Sequence, residues 1–178
     1  MTKALVIIDM VNDFVTGKLK CDRAQKIVPN IRKLVEAARA KKVPVIYVSD
    51  AHLHTDSELR VWGEHAMKGT PEAEVISELK PAKGDFVLEK RTYSAFFETG
   101  LDSILRHHKV DTVIVTGLHT HICDRHTTAD AFFRGYHVIV PSDCVDSFTE
   151  EDHLKGLEYL KMAYKVEVLP VDELVKKI

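Results

Sequence analysis

The chain has 178 residues, 45% of them hydrophobic and 29% charged, with 25 basic residues against 27 acidic for a net charge of −2. This is the make-up of an ordinary globular protein long enough to bury a real core, and charges this evenly mixed offer no basic patch for nucleic acid. Three cysteines, Cys21, Cys123 and Cys144, with no CxxC spacing exclude a disulfide framework and a cysteine zinc site.

The first element is "ALVIID" (4–9), an apolar strand too short for a signal core or a membrane span. Without a targeting segment the expected location is the cytoplasm, and no membrane partner is expected. Residues 23–42 place Ile27, Ile31, Leu34, Val35 and Ala38 on one helical face, with Pro29 marking where the helix proper is expected to start. "VPVIYVSD" (43–50) is the second strand. Residues 51–85 are rich in Gly, Pro, His and acids, and read as a long loop over the active site with one short helix in "EAEVISEL". "DFVLEK" (85–90) is the third strand and "LDSILRHH" (101–108) a helix. "DTVIVTG" (111–117) is the fourth strand. "CDRHTTADAFFRG" (123–135) is a helix closed by Gly135. "YHVIVP" is the fifth strand, residues 150–164 a helix, "KVEVLP" the sixth strand and "VDELVKKI" a closing helix.

Continuous Val/Ile strands separated by helices predict parallel pairing buried on both faces. The expected fold is therefore α/β: one domain over 1–178 with a six-stranded, mostly parallel, doubly wound sheet and helices on both faces. Such sheets bind ligands beyond the carboxyl ends of their strands. That rule brings Asp9, Asp50, Lys90 and the turn "HTHIC" (119–123) to one rim.

Cys123 opens a helix, where the dipole and a nearby ammonium, Lys90, are expected to favour thiolate. Asp9 could take the thiol proton and return it to a leaving amine, and the turn's N–H groups could cradle an oxyanion. Taken singly, Asp9 could be a cap, Lys90 a solvated end and Cys123 a small buried hydrophobe. Their coincidence at strand ends favours acyl-transfer chemistry. Asp50, His52 and His65 form a His/His/carboxylate set suited to Zn²⁺, Fe²⁺ or Mn²⁺, with His54 a rival third ligand. Alternatively Asp50 and His52 only hydrogen-bond the loop. Phe14, Trp62 and Tyr93 could wall a pocket for a flat ring. Asp13 is expected to anchor a loop, Arg91 to pair with an acid or a substrate carboxylate, Cys21 to be structural or exposed, and Cys144 to lie in the core.

Three segments in order, "ALVIIDMVNDF" (4–14), "KRTYSAFFETGL" (90–101) and "VTGLHTHICDRHTTADAFFRGYHVIVPSDCV" (115–145), resemble the isochorismatase-like cysteine hydrolases, which include nicotinamidases. The resemblance implies an Asp9, Lys90, Cys123 triad, a thioester intermediate and amide hydrolysis with loss of ammonia, nicotinamide to nicotinate first. It also implies a cis peptide at Leu118-His119, with the N–H groups of His119 and Cys123 as the oxyanion hole. The nicotinamidase branch implies a metal on Asp50, His52 and His65, no organic cofactor, and a homo-oligomer, dimer or tetramer. Departures from the pattern are Asp124 where many members have Val, Ala51 where a Trp is expected, a short interval between His52 and His65, and His119 and His121, which could line a polar pocket or face solvent. The alternatives are N-carbamoyl or ureido amide hydrolysis, isochorismate-type cleavage, and a thiol- or metal-binding protein without turnover.

Overall fold

The computed structural model describes residues 1–178. Chain order is β1 (Lys3–Ile8), α1 (Asn12–Val15), α2 (Ala24–Ala40), β2 (Val45–Asp50), α3 (Leu59–Trp62), β3 (Phe86–Lys90), α4 (Leu101–His107), β4 (Thr112–Leu118), α5 (Cys123–Phe133), β5 (His137–Pro141), β6 (Val145–Asp146), α6 (Glu150–Tyr164), β7 (Glu167–Leu169) and α7 (Val171–Leu174). The sheet runs β3-β2-β1-β4-β5-β7, and every pairing is parallel.

The period of two along β1 explains the layering. Leu5 and Ile7 join α2 and α7 in one core, while Ala4, Val6 and Ile8 join α4, α5 and α6 in the other. Each fully buried aliphatic side chain contributes roughly 1.5–3 kcal/mol. No helix is long and apolar enough to cross a membrane.

Three expectations are corrected. The sheet has seven strands, not six: β6 pairs with the end of β4 (Gly117↔Val145, Leu118↔Asp146) where β5 has already ended. Helix α2 begins at Ala24 and carries Pro29 inside it. The proline removes one i→i−4 bond, yet Ala24, Ile27 and Val28 are buried on the core face, and that packing holds the first turns helical. In 51–85 the short α-helix is α3, whereas "EAEVISEL" folds as two 3₁₀ turns, Pro71–Ala73 and Ser77–Leu79, because Val75 between them bridges to Val11.

Two backbone features position the rim. Gly117 has φ +116°, and a Cβ there would lie 1.9 Å from the Ile8 carbonyl oxygen. Only glycine lets β4 run this close to the end of β1. The next residue of β1's chain, Asp9, has φ 55° and turns its carboxylate toward β2. The Leu118-His119 peptide is cis, as expected.

Candidate active site

Strand register builds the site. Asp50 ends β2 directly beside Lys90, which ends β3, and Asp9 follows β1 on the other side of β2. Asp9 Oδ1 accepts from the Asp50 amide at 2.8 Å. Lys90 is fully buried, and its Nζ lies 2.8 Å from Asp9 Oδ2, 2.5 Å from Asp50 Oδ1 and 3.9 Å from Cys123 Sγ. Lys90 therefore stands between the nucleophile candidate and two carboxylates. Its own pKa is raised well above the ordinary lysine value: burial opposes the charge, but Asp50 and Asp9 outweigh it.

The expectation that Cys123 favours thiolate fails at rest. Burial pushes the thiol well up, and Asp9 and Asp50 add to that against the opposing Lys90. Lys90 is the strongest influence in favour of thiolate, but burial together with the two carboxylates outweighs it. Asp9 is itself pushed up to about 6, by burial first and then by Asp50. The result is a protonated thiol facing a carboxylate whose pKa suits proton transfer near neutrality. In the turn before α5, the His119 carbonyl accepts from the amides of Ile122 and Asp124, while neither the His119 nor the Cys123 amide donates to a protein acceptor.

A second cluster shares Asp50. Asp50, His52, Glu58 and His65 are all buried, and each offers one ligand atom within 4.8 Å of the others. The outer nitrogens are already held. His52 Nδ1 is 3.0 Å from Asp56 Oδ2, and His65 Nδ1–H donates to the Gly63 carbonyl at 2.8 Å. The inner His52 Nε2 is buried with no hydrogen bond, 3.5 Å from Asp50 Oδ2 and 3.7 Å from Glu58 Oε2. An imidazole oriented by an outer carboxylate, with its other nitrogen turned toward further donors, is the arrangement that metal sites use. The charges agree. Burial, then the Asp50 charge, lifts Glu58 to about 7. At His52 burial opposes protonation, but Asp50, Asp56 and Glu58 outweigh it and hold the imidazole at about 9. A divalent cation would take the place of these protons, since its ligands bind deprotonated. The donor set thus fits a metal.

Asp50, His52 and His65 come together as expected, and Glu58 joins them unforeseen. It lies in a polar stretch with other acids, and only its burial distinguishes it. His54 is on the outside, exposed and paired with Glu64 at 2.9 Å. Arg91 pairs with Asp56, Nε to Oδ2 at 2.6 Å, and is not left free for a substrate carboxylate. Asp13 anchors two segments: Oδ1 accepts from Lys18 and Leu19, and Oδ2 from Ala66.

Phe14, Trp62 and Tyr93 do meet, in a cavity that also includes Cys123, Asp50, Glu58, His65, His119 and Phe148. Trp62 Nε1–H donates to the Tyr93 hydroxyl at 3.2 Å. The volume open to solvent is about 20 Å³, room for about one water. His119 lines this cavity, whereas His121 is half-buried and bonded to Ser147 Oγ at 2.9 Å. Cys21 is buried with Sγ 3.2 Å from the Ser147 carbonyl, and Cys144 is core.

Residues 3–173 match the family model described as the isochorismatase domain. The chain is 44% identical to N-carbamoylsarcosine amidase from Thermoplasma acidophilum, with a TM-score of 0.93 over 97% of this chain and 98% of that one. It is 32% identical to nicotinamidase PncA from Bacillus subtilis, with a TM-score of 0.89 over 95% of this chain and 100% of that one. A pyrazinamidase of Pyrococcus horikoshii, solved in complex with zinc, is 26% identical with a TM-score of 0.87 over 96% of this chain and 99% of that one.

Proposed function

This chain belongs to the isochorismatase family of hydrolases, and from that membership we propose that it is a cysteine amidohydrolase converting a small amide to its acid and ammonia, with nicotinamide the first substrate. The observation that carries this reading is Lys90 Nζ standing 2.8 Å from Asp9 and 3.9 Å from the Cys123 thiol, all three buried at one rim.

In this mechanism Asp9 takes the Sγ proton as sulfur attacks the amide carbonyl carbon, and the oxygen becomes an oxyanion received by the His119 and Cys123 amides. Collapse breaks the C–N bond, and the departing nitrogen takes the proton back from Asp9 and leaves as ammonia. Water then adds to the thioester, giving its proton to Asp9. The C–S bond breaks, the acid is released, and Asp9 returns the proton to sulfur. Lys90 keeps Asp9 in place and offsets the transient thiolate charge. Asp50, His52, Glu58 and His65 would hold a divalent cation, which would supply Lewis-acid chemistry beside the thiol. The clustered donors and the zinc-bound relative support that assignment.

Hydrolysis of an N-carbamoyl amide is the second reading, favoured by the 44% identity to an N-carbamoylsarcosine amidase. A thiol- or metal-storage role would leave the buried Asp9–Lys90 pair without a task. Ammonia release from nicotinamide, pyrazinamide, N-carbamoylsarcosine and ureidoacrylate tests these readings, with Cys123→Ala alongside. Turnover of nicotinamide that disappears in the variant is the expected result. Turnover of the carbamoyl substrate alone selects the second reading, and turnover that survives Cys123→Ala rejects the thiol mechanism.

A further inference from the structure

His119 carries the cis peptide's amide, but its side chain has no part in the steps above. The residue is 5% exposed, and both ring nitrogens are buried without a hydrogen-bond partner. The ring stacks on Phe148 at 4.0 Å between centroids and 25° between planes, and meets Phe14 edge-on at 6.1 Å. Both aromatic neighbours line the cavity that holds Cys123, and so does His119. A histidine kept only for packing would leave two buried polar atoms unpaired, a cost a phenylalanine would not carry. Burial first, then the neighbouring His121, lowers its pKa to about 3, so the imidazole is neutral and keeps one N–H and one lone pair.

The cavity is short of donors. Asp50 and Glu58 present oxygens, and His65 presents the lone pair of Nε2 because Nδ1 carries the proton given to Gly63. The Trp62 N–H is spent on Tyr93. Apart from the thiol and the carboxyls of the metal cluster, the His119 N–H and the Tyr93 hydroxyl are the side-chain donors left. We propose that His119 is a specificity-determining residue: its ring N–H binds a hydrogen-bond acceptor on the substrate outside the scissile amide, so that the enzyme selects small amides carrying such an acceptor. The assignment rests on the amide-hydrolase reading above. The acceptor could be a ring nitrogen or a carboxylate oxygen, and matched substrates separate the two sources.

The test compares wild type, His119→Phe and His119→Asn on two pairs that differ in the acceptor, nicotinamide with benzamide and N-carbamoylsarcosine with 1,1-dimethylurea. For the pair the enzyme hydrolyses, His119→Phe should lower kcat/KM roughly 10- to 100-fold on the acceptor-bearing member and no more than about threefold on the other. His119→Asn, which keeps a donor, should recover part of the loss. Equal losses on both members overturn the proposal, since a packing role would not distinguish them. Should wild type hydrolyse none of the four, the amidase reading fails separately, and ¹⁵N NMR of the imidazoles in Cys123→Ala decides. A His119 ring-nitrogen shift with nicotinamide or N-carbamoylsarcosine, absent with benzamide and dimethylurea, upholds the proposal. No shift with any of them overturns it.

Discussion

A buried thiol beside one ammonium and two carboxylates keeps its proton, and this sets what each residue of the site can do. Lys90 is matched by Asp9 and Asp50, so it cannot by itself hold Cys123 as thiolate. The proton must move during attack, and Asp9, at about 6, is placed to take it. The sign follows from the direction of that shift. Asp9 acts as base only when ionised, and burial has raised its pKa above the usual carboxylate value, so activity is lost as pH falls through the raised value. We expect kcat/KM to drop about tenfold per pH unit below a midpoint near 6. A pH–rate profile checks this, and a profile flat well below that midpoint would remove Asp9 as the base. The three residues were legible one by one, because Asp9 and Lys90 stand at the ends of strand runs and Cys123 opens the helix after the turn that follows β4. The protonation state of the thiol was not, because it depends on how many carboxylates share one lysine.

At the scale of elements, strands were easier to read than the segment between β2 and β3. A Val/Ile run has one way to be buried in a parallel sheet, whereas a polar stretch takes its shape from what it packs against. Residues 51–85 became α3 and two 3₁₀ turns, with one bridge inside the segment, His52 to Met67, and one to the chain just past β1, Val75 to Val11. That folding draws Glu58 inward beside His52 and His65 and leaves His54 outside. Asp56 ties the segment together, accepting from the Leu53 amide, facing His52 Nδ1 and pairing with Arg91 just past β3. Removing a carboxylate that orients a ligating histidine typically weakens metal binding 10- to 100-fold. Asp56→Ala should therefore raise the zinc Kd by about that factor in competition with a chelator, with the metal-binding residues themselves unchanged. An unaltered Kd would count against the cluster as a metal site.

For the whole molecule, the strand order β3-β2-β1-β4-β5-β7 decides where chemistry can occur. The chain reverses direction across the sheet between β1 and β4, and the crevice at such a point lies between the strand ends that bear Asp9 and the Cys123 turn. Groups far apart in sequence, from Asp9 to Cys123, are joined there through the sheet, and the metal cluster adds ligands from β2 and the segment after it. An ion bound only by the folded chain stabilises the whole fold. Zinc at a hundredfold excess over its Kd should add about 2.7 kcal/mol, or about 5–10 °C in Tm for a chain of this size. Calorimetry with chelator and with added zinc measures it, and identical unfolding curves would show that the folded protein does not hold zinc.

The sequence by itself determined the alternation of strands and helices, the burial of the sheet on both faces, and the rim that carries Asp9, Asp50, Lys90 and Cys123. These are consequences of periodicity and of strand ends, which are local. Only the tertiary structure decided that Pro29 sits inside α2, that a seventh strand continues beside β4, that Glu58 rather than His54 joins the cluster, and that the His119 ring stacks on Phe148 with both nitrogens unpaired. Each of these depends on burial against residues distant in the chain, and no local pattern encodes which polar groups the fold removes from water.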